Sequence, residues 1–464
     1  MKMIYNVDDK PKFGQLIVFA IQQLLAIMAA TLVVPVIVNG NAANFPEPMQ
    51  TNMSTAAALF GAGVGTFVYL LFTKFKSPVF LGSSFAFIGS MTAAFAGAVG
   101  SVTLGYAGLL IGAVFAGLVY VIIALIVKAV GTKWIDKLMP VVVIGPTVSI
   151  IGLSLAGNAV NDLQRANAGG HTLIAVLCGV ITLVVVTLCS TFGKKTARLI
   201  PFIIGILVGY AVAAIFTFIG NAADIDALKI TDFSAFKALV ADGVNISTFF
   251  QFPGFTFLQS FKGFGELTPS YIGTIAVAYV PVAFVVFAEH IADHKNVSSI
   301  IERDLLKEPG LSNTLLGDGV GSMAGALFGG CPNTTYGESV ACVAITRNAS
   351  VATIATTALC AIIISFIAPF VAFVNTIPSC VMGGVCITLY GFIAVSGLKM
   401  IQQVDLNENR NLFVVSTILI TGIGGLALKF GKVTLTNIAT ALILGIIINL
   451  ILAKKTPKDS AEEE

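Results

Sequence analysis

The sequence predicts an all-α integral membrane protein with fourteen transmembrane segments. Apolar stretches of about 20 residues, the length at which a helix spans a bilayer, recur along nearly the whole chain of 464 residues. The chain is 56% hydrophobic and only 11% charged, whereas a soluble protein of this length needs a more charged surface. The longest polar stretch, 220–268, is too short and loop-like for an enzyme domain.

Twelve stretches are long and apolar enough to predict transmembrane helices directly. They are Phe13–Val38, Thr55–Phe72, Val102–Val130, Leu138–Val160, Thr172–Phe192, Leu199–Ile219, Tyr271–Ala292, Leu311–Phe328, Val351–Val374, Cys380–Val395, Leu412–Ala427 and Thr434–Leu452. Two shorter segments remain, Pro78–Gly97 and Pro332–Arg347. Each begins with proline, continues through small polar residues and then becomes apolar, which predicts extended backbone leading into a half-helix.

Loop charge indicates that the two short segments also cross the membrane. With fourteen crossings and both ends of the chain inside, 20 of the 26 lysine and arginine residues face the cytoplasm. With only twelve crossings the middle of the chain inverts, and the division becomes 15 inside to 11 outside. Because cytoplasmic loops carry an excess of positive charge, the sequence favours fourteen crossings, with Lys194–Arg198 in the cytoplasm and Lys229–Lys262 outside.

The fourteen segments divide into two halves of seven that resemble each other. The broken segments come third and tenth, and the fifth and twelfth each carry a proline five residues before a glycine, at Pro140 and at Pro378. An odd number of crossings in each half makes the repeats inverted, a pattern typical of secondary transporters whose site lies where broken helices meet. The predicted divisions are a cytoplasmic tail 1–12, a first repeat 13–219, an extracellular loop 220–268, a second repeat 269–453 and a cytoplasmic tail 454–464.

Two glutamates lie inside segments that otherwise have the composition of membrane spans. Glu289 ends the apolar run YIGTIAVAYVPVAFVVFAE, and Glu338 lies in CPNTTYGESVACVAI. A carboxylate at membrane depth costs from a few to more than about 10 kcal/mol, so it must face protein, water or a ligand. Because one of the two acids lies in a segment that breaks a helix, they predict a polar substrate site halfway across the bilayer rather than structural hydrogen bonding.

The residues around the breaks suit a small planar ring with N–H and C=O edges. Half-helices that begin near Ser84 and Gly337 would direct backbone N–H groups into a cavity. Gly82 and Gly337 would allow close backbone approach. Phe85 and Tyr336 offer flat aromatic faces, with packing as the alternative role for each, and the two glutamates offer acceptors for N–H donors.

Other polar residues in the apolar segments have more than one interpretation. Asp318 is a third acid in a membrane span, with either a structural or a proton-handling role. His290 and His294 follow Glu289 by one and five residues and share no helix face with it, so the sequence predicts no metal site. The glycines of Leu316–Gly321 indicate close helix packing rather than a nucleotide-binding loop.

The chain resembles a known family at several motifs. FLGSSFAFIG, FAEHI, RDLLKEPGL and especially PNTTYGE with AITR are similar to the bacterial uracil permeases of the nucleobase–ascorbate transporter family, and the similarity extends from Gln22 to the last span. The resemblance implies two inverted repeats of seven spans, with short antiparallel strands in the third and tenth. It also implies a core domain of spans 1–4 and 8–11, a gate domain of spans 5–7 and 12–14, and a homodimer with gate-domain helices at its interface.

The same motifs imply a substrate site, whose residues are Ser84, Phe85, Glu289, Tyr336, Gly337, Glu338 and Tyr390. In the resemblance, the two glutamates bind the substrate, while Phe85 and Gly337 give backbone contacts. Ser84, Tyr336 and Tyr390 would hold ordered water around the ring through their hydroxyl groups. The coupling ion would be H⁺ and no cofactor is expected. Glu289 is the first candidate to carry the proton, and the next are His290, Asp293 and Asp318.

The chain departs from the family pattern at a few positions. Ser339 and Ala341 replace the usual asparagine and glycine after the glutamate. Asp293 replaces a second histidine that uracil permeases often carry, and Gln23 stands where many members have histidine. These differences concern the proton pathway more than the nucleobase site. Glu338, in place of glutamine, favours uracil-type over xanthine-type members.

The combined interpretation is a symporter in the bacterial cytoplasmic membrane that imports uracil with a proton. A purine permease of the same family, for xanthine or hypoxanthine, is the alternative. An anion exchanger of similar fold would need a cation facing the half-helix N-termini, and a channel would need a continuous polar pore. An intramembrane enzyme would need a nucleophile with a base, or metal ligands, so the sequence predicts no enzyme, and it predicts no nucleic-acid partner.

Overall fold

The computed structural model describes residues 3–43, 45–46, 50–194, 197–198, 200–241, 243–430 and 433–453. Over these residues the chain is predominantly helical, with two pairs of three-residue strands. Eight of the described helices are long and apolar enough to cross a membrane. The predicted C-terminal tail, 454–464, lies outside the described residues.

The first half of the chain is an almost continuous series of helices. They are α1 (Phe13–Ala42), α2 (Thr55–Phe72), α3 (Ile88–Gly97), α4 (Val102–Val130), α5 (Lys133–Leu138), α6 (Val141–Ser154), α7 (Ala156–Leu163), α8 (Thr172–Phe192) and α9 (Pro201–Ala223). Strand β1 (Leu81–Ser83) and a 3-10 turn (Phe85–Phe87) precede α3. The next segment carries three short helices, which are α10 (Ser234–Leu239), α11 (Ile246–Phe249) and α12 (Thr256–Gly263).

The second half of the chain also contains long helices and one broken segment. Its helices are α13 (Pro269–Ile301), α14 (Leu311–Gly329), α15 (Gly337–Thr346), α16 (Val351–Ile364), α17 (Ala368–Thr376), α18 (Ser379–Ile401), α19 (Asn409–Ile423) and α20 (Asn437–Ala453). Strand β2 (Asn333–Thr335) precedes α15, and a hairpin of β3 (Leu428–Phe430) and β4 (Val433–Leu435) separates α19 from α20.

The structure corrects the predicted elements at four places. The predicted helix Leu138–Val160 is divided into α6 and α7. The predicted helix Val351–Val374 is two helices, because Pro369 starts α17 in its first turn, where the missing N–H is tolerated. The hairpin shortens the last two predicted helices. The stretch 220–268 is not a plain loop, since its helix α12 packs on α4, and the Ser260 hydroxyl donates to the Tyr106 carbonyl oxygen at 2.9 Å.

The helices pack in two groups. The first group contains α1–α4 and α13–α16, and its largest interfaces are those of α14 with α2 and with α4. The second group contains α6–α9 and α18–α20, with the largest interface between α6 and α18. The contacts between the groups are fewer and involve mainly α1 with α9 and α13 with α6 and α20. A boundary between the groups therefore runs through the molecule, and a site at this boundary has walls from both halves of the chain.

Glycines allow the closest helix approach in the first group. A methyl group on Gly65 of α2 would lie 2.7 Å from the carbonyl oxygen of Gly321 on α14, and a methyl group on Gly61 would overlap the carbonyl of Gly325. Gly319 approaches α4 in the same way, because a methyl group there would lie 2.9 Å from the Gly117 carbonyl oxygen. The glycines of Leu316–Gly321 therefore serve close helix packing, as predicted.

Replacing Gly65 by alanine should destabilise the protein. The added methyl group forces α2 away from α14, and overpacking of this kind costs about 1–3 kcal/mol. The matched control is Gly273→Ala on α13, where a methyl group meets no atom within 4 Å and removal of glycine from a helix is favourable by about 0.5–1 kcal/mol. Thermal unfolding of the two purified variants in one detergent should show a lower midpoint for Gly65→Ala alone. Equal midpoints would show that the α2–α14 contact is compliant.

Candidate functional site

The two broken segments meet at an antiparallel strand pair, which confirms the strands that the resemblance implies. β1 pairs with β2 in a register that places Gly82 opposite Thr334. The backbone stays extended through Ser84 and Tyr336, with ψ angles of 124° and 119°, and each helical stretch begins at the next residue. The N-termini of both half-helices therefore lie beside the strand pair, where their free N–H groups and dipoles favour an electron-rich group.

A cavity of about 460 Å³ lies beside the strand pair, between the two helix groups. One wall consists of β2, α13 and α15, and the opposite wall includes Val148, Phe202 and Phe392 of the second group. This volume is within the range of about 300–1,000 Å³ that small-molecule sites occupy. Five of the seven predicted substrate residues line the cavity, and they are Phe85, Glu289, Tyr336, Gly337 and Glu338.

Three carboxylates face this cavity, which is called the carboxylate cavity below. Glu289 and Asp293 lie one turn apart on α13, and Glu338 lies in the first turn of α15. All three side chains are partly exposed because they border the cavity. Among the described residues, no lysine or arginine forms an ion pair with any of them. Carboxylates without a cation partner are available as acceptors for the N–H groups of a ligand.

Asp293 is held by the strand pair. Its Oδ2 accepts a hydrogen bond from the Thr335 hydroxyl at 2.7 Å, which joins α13 to β2 at the cavity wall. Thr335 is a contact that the sequence reasoning missed, although it lies in the PNTTYGE motif. Of the predicted proton-coupling candidates, Glu289 and Asp293 are therefore the two that border the cavity.

The glycines and the tyrosine near the breaks have distinct environments. Gly337 is exposed to the cavity, and a methyl group there would have only Asp293 Oδ1 nearby, at 3.9 Å. Gly82 is instead covered by the ring of Tyr336, with which any side chain would overlap. The Tyr336 hydroxyl donates to the Ser83 carbonyl oxygen at 2.8 Å. A ligand can therefore contact the backbone at Gly337. At Gly82 the ring of Tyr336 covers the backbone and packs on the strands.

Phe85 and the two remaining predicted residues form a layer at the cavity edge. The Phe85 ring contacts the Tyr390 ring edge to face, with ring centroids 5.7 Å apart. Tyr390 is buried behind Phe85, and Ser84 is buried beside the strands. The Ser84 hydroxyl makes no hydrogen bond to any described residue, and buried hydroxyls rarely stay unpaired. Because Ser84 and Tyr390 are buried and do not line the cavity, they lie behind its surface.

His290 and Asp318 belong to a buried network on the other side of α13. His290 Nδ1 lies 2.6 Å from Asp318 Oδ2, and its Nε2 lies 3.0 Å from the Thr314 hydroxyl. His294 stacks on His290 with ring centroids 4.0 Å apart and contacts the Tyr69 hydroxyl at 2.7 Å. The network connects α13 to α2 and α14. His294 contacts Tyr69 and does not line the cavity. It therefore does not take the place of the family histidine whose position Asp293 occupies in this chain.

Two of the departures from the family pattern contact each other. Gln23 Nε2 donates to the Ser339 hydroxyl at 2.6 Å and lies 3.3 Å from the Ser339 carbonyl oxygen. The backbone N–H of Phe80 also donates to the Ser339 hydroxyl, at 3.3 Å. Ser339 therefore ties α15 to α1 and to the residue before β1, next to Glu338. The contact was not evident from the sequence, because Gln23 and Ser339 are 316 positions apart.

Comparison with known proteins identifies the family of the chain. The xanthine–uracil permease model, described as "Permease family", matches residues 14–430. The chain is 37% identical to the uracil permease of Bacillus caldolyticus, over 97% of this chain and 95% of that protein. It is 36% identical to the uracil permease of Bacillus subtilis (strain 168), over 100% and 98%. It is 33% identical to the uracil permease of Escherichia coli (strain K12), over 96% and 93%.

Solved structures share the fold at low sequence identity. The transmembrane domain of the cyanobacterial bicarbonate transporter BicA aligns with a TM-score of 0.58 at 15% identity. The alignment covers 96% of this chain and 100% of that domain. The murine anion transporter Slc26a9 in its inward-facing state aligns with a TM-score of 0.61 at 8% identity, over 96% of this chain and 69% of that chain. The family match and the apolar helices together confirm the predicted resemblance: this chain is a multi-pass membrane protein that belongs to the permease family.

Proposed function

We propose that this protein is a proton-coupled symporter that imports uracil across the bacterial cytoplasmic membrane. The observation that carries the proposal is the meeting of unpaired carboxylates and two half-helix N-termini in one cavity of about 460 Å³. The relatives at 33–37% identity over nearly their full length are named uracil permeases. As a permease, the chain is a transporter and not an enzyme.

The cavity chemistry matches a neutral ring with alternating N–H and C=O groups. Glu338 accepts a ring N–H, and the backbone at Gly337 and near Phe85 donates to ring carbonyl oxygens. The Phe85 ring and the apolar wall with Phe202 and Phe392 cover the flat faces of the ring. Glu289 accepts a second N–H and is the first candidate to carry the proton. Asp293 comes next because it borders the same cavity.

The solved neighbours of similar fold include anion transporters, but the site disfavours an anion. Three carboxylates border the cavity, and the arginine among its lining residues, Arg198, is exposed and donates to the Thr191 carbonyl oxygen. An anion would lie next to unpaired like charges, which disfavours it. A purine is the closer competitor, and Glu338 in place of glutamine favours uracil.

The substrate assignment has a direct test. Purified protein is titrated with uracil, thymine, xanthine, hypoxanthine and ascorbate in one equilibrium binding assay. We expect uracil to bind most tightly, and ascorbate, an anion, not to bind. Tightest binding of xanthine or hypoxanthine would replace uracil by a purine, and absence of binding by every nucleobase would contradict the proposed function.

We further propose fourteen crossings in two inverted repeats, with the domain divisions stated above. Contacts between loops support this topology. Arg303, after α13, lies 3.2 Å from Asp8 of the N-terminal tail, and Lys76, after α2, pairs with Glu308. With twelve crossings, Arg303 and Glu308 would be outside while Asp8 and Lys76 were inside. The two ion pairs require all four residues on one side, as fourteen crossings provide.

Contacts on the opposite face support the same conclusion. Phe250, in the segment before α12, stacks on Phe366 between α16 and α17 with ring centroids 5.3 Å apart. A methyl group on Gly254 would lie 3.5 Å from Ser54, at the start of α2. With twelve crossings, 220–268 would be inside, away from Ser54 and Phe366. Fourteen crossings place all of these residues outside.

Thiol labelling tests the topology. Lys194 and Lys237 are both exposed, and each is replaced by cysteine in a background without the seven native cysteines. An impermeant maleimide on intact cells should label Lys237→Cys and spare Lys194→Cys, whereas permeabilised cells should label both. The reverse pattern in intact cells would remove the third and tenth crossings and the inverted repeat.

The first helix group corresponds to the proposed core domain and the second to the proposed gate domain. The lining of the carboxylate cavity includes Ser190, Ile345 and Met400, and the backbone carbonyl oxygen of Arg347, two residues after Ile345, accepts a hydrogen bond from the N–H of Ile4 in the N-terminal tail. Because we propose a cytoplasmic N-terminus, we also propose that this end of the cavity lies toward the cytoplasm.

We also propose a homodimer through gate-domain helices. Among the eight candidate spans, Thr172–Phe192 and Pro201–Ala223 are the least buried, at 28% and 39%, so they have free apolar surface for a second copy or for lipid. Native mass measurement in nanodiscs should give twice the chain mass. A monomer across all protein concentrations would contradict the dimer.

A further inference from the structure

A second cavity lies between the two helix groups, on the opposite side from the carboxylate cavity. Its volume is about 200 Å³. Its walls include Met28 and Leu32 of α1, Phe373 of α17 and Met382 of α18. Asn52 and Met53, before α2, lie at its edge, on the face that carries Ser54 and Gly254. Under the proposed topology this outer cavity faces the extracellular side.

The polar residues that line the outer cavity are uncharged. It contains four asparagines, at positions 39, 52, 167 and 375, with Thr55 and Ser379, and none of its described lining residues is acidic or basic. The remaining lining residues are apolar. Amide groups donate and accept hydrogen bonds in the same plane, while aromatic and methionine side chains contact flat faces. This combination suits a neutral ring with N–H and C=O edges and gives no counter-charge to an ion.

Two of the asparagines keep their amide nitrogens available. Asn167 Oδ1 accepts from the Ser379 backbone N–H at 2.7 Å, and Asn375 Oδ1 lies 3.5 Å from the Thr55 hydroxyl. Among the described residues, neither Nδ2 donates a hydrogen bond. Asn39 differs, since both ends of its amide bond the Met53 backbone. Donors for a ring carbonyl therefore come from Asn167 and Asn375.

The two cavities share the helices α1 and α9 in their walls. Phe202 lines the carboxylate cavity, whereas its neighbour Ile203 lines the outer cavity. On the facing helix, Ala26 lines the carboxylate cavity and Met28 the outer one. The two cavities therefore lie near each other along the boundary between the two helix groups, and α1 and α9 contribute lining residues to both.

From this geometry we infer that the outer cavity is a second, weaker binding site for the nucleobase. It receives the neutral ring from outside while the carboxylate cavity is open to the other side. The inference rests on the proposed function for the identity of the ring.

The first test separates the two sites by mutation. In purified Glu289→Gln/Glu338→Ala protein, uracil binding at the carboxylate site is weakened, and saturation-transfer difference NMR detects weak ligands. Uracil should still give a signal in this protein, and that signal should fall when Asn375→Leu or Leu207→Trp is added. Leu207 lines the outer cavity and is 49% exposed, so a tryptophan there fills the cavity without disturbing the core. Val208→Trp is the control, since Val208 is on the same helix and outside the cavity lining.

Uptake kinetics give an independent readout. Loss of one neutral hydrogen bond weakens binding by about 2- to 13-fold, so Asn375→Leu should lower kcat/KM for import by this factor. The equilibrium affinity of the carboxylate site should stay at the wild-type value. A uracil signal absent from the double variant, or unaffected by both outer-cavity changes, overturns the inference. Wild-type uracil affinity in Glu338→Ala alone is a different outcome, and it would remove Glu338 from the substrate contacts of the carboxylate site without bearing on the outer cavity.

Discussion

Replacing Glu338 by alanine should weaken uracil binding by about 5- to 150-fold. Glu338 lies in the first turn of α15 and borders the cavity, where no lysine or arginine of the described residues pairs with it. A ring N–H that loses this acceptor stays buried and unpaired, which costs about 1–3 kcal/mol. At about 1.4 kcal/mol for each factor of ten, that free energy gives the stated range.

Isothermal titration calorimetry of uracil with purified protein measures this loss directly. Glu338→Gln keeps one carbonyl oxygen as an acceptor and should lie between the wild type and Glu338→Ala. Glu408→Ala is the control, because Glu408 is an exposed acid before α19 and should bind uracil with unchanged affinity. Wild-type affinity in Glu338→Ala would remove Glu338 from the substrate contacts and leave Glu289 as the main acceptor.

The spans were predictable because the bilayer fixes their length and composition. Thr55–Phe72, Val102–Val130 and Thr172–Phe192 agree with the structure to the residue. The half-helices of the third and tenth segments were also predictable, since proline and small polar residues interrupt an apolar run there. Helix interruptions inside fully apolar runs were not, as Val351–Val374 shows, because a proline can either end a helix or start one.

The contacts between side chains of different helices could not be predicted from the sequence. Asp293 and His294 are neighbours in the chain, yet the first borders the cavity and the second contacts Tyr69 in α2. Helix geometry separates adjacent residues by about 100°, as 3.6 residues make one turn, but sequence alone does not fix which face meets the cavity. For the same reason the predicted residues Ser84 and Tyr390 lie behind the cavity surface. The wall with Phe202 and Phe392 was missed, because these residues look like ordinary apolar span residues.

Replacing Glu289 by glutamine should abolish proton-driven accumulation of uracil. Glutamine keeps the size of the side chain and one acceptor oxygen, but it has no proton to exchange in the neutral range. Transport with one proton supports about tenfold accumulation per unit of pH difference, since each factor of ten corresponds to about 1.4 kcal/mol. In proteoliposomes with an imposed pH gradient, the wild type should accumulate labelled uracil, and Glu289→Gln should only equilibrate it.

The pH profile and an exchange assay complete the argument for Glu289. Because the proton is a co-substrate, wild-type uptake should fall as external pH rises through the neutral range, and Glu289→Gln should flatten this dependence. Exchange of labelled for unlabelled uracil at equal pH needs no net proton movement, so the variant should retain it, which separates lost coupling from lost binding. Asp293→Asn is the comparison, because Asp293 borders the same cavity but already accepts from Thr335 at 2.7 Å. Accumulation by Glu289→Gln with an unchanged pH profile would move the coupling role to Asp293, and then to the buried pair of His290 and Asp318.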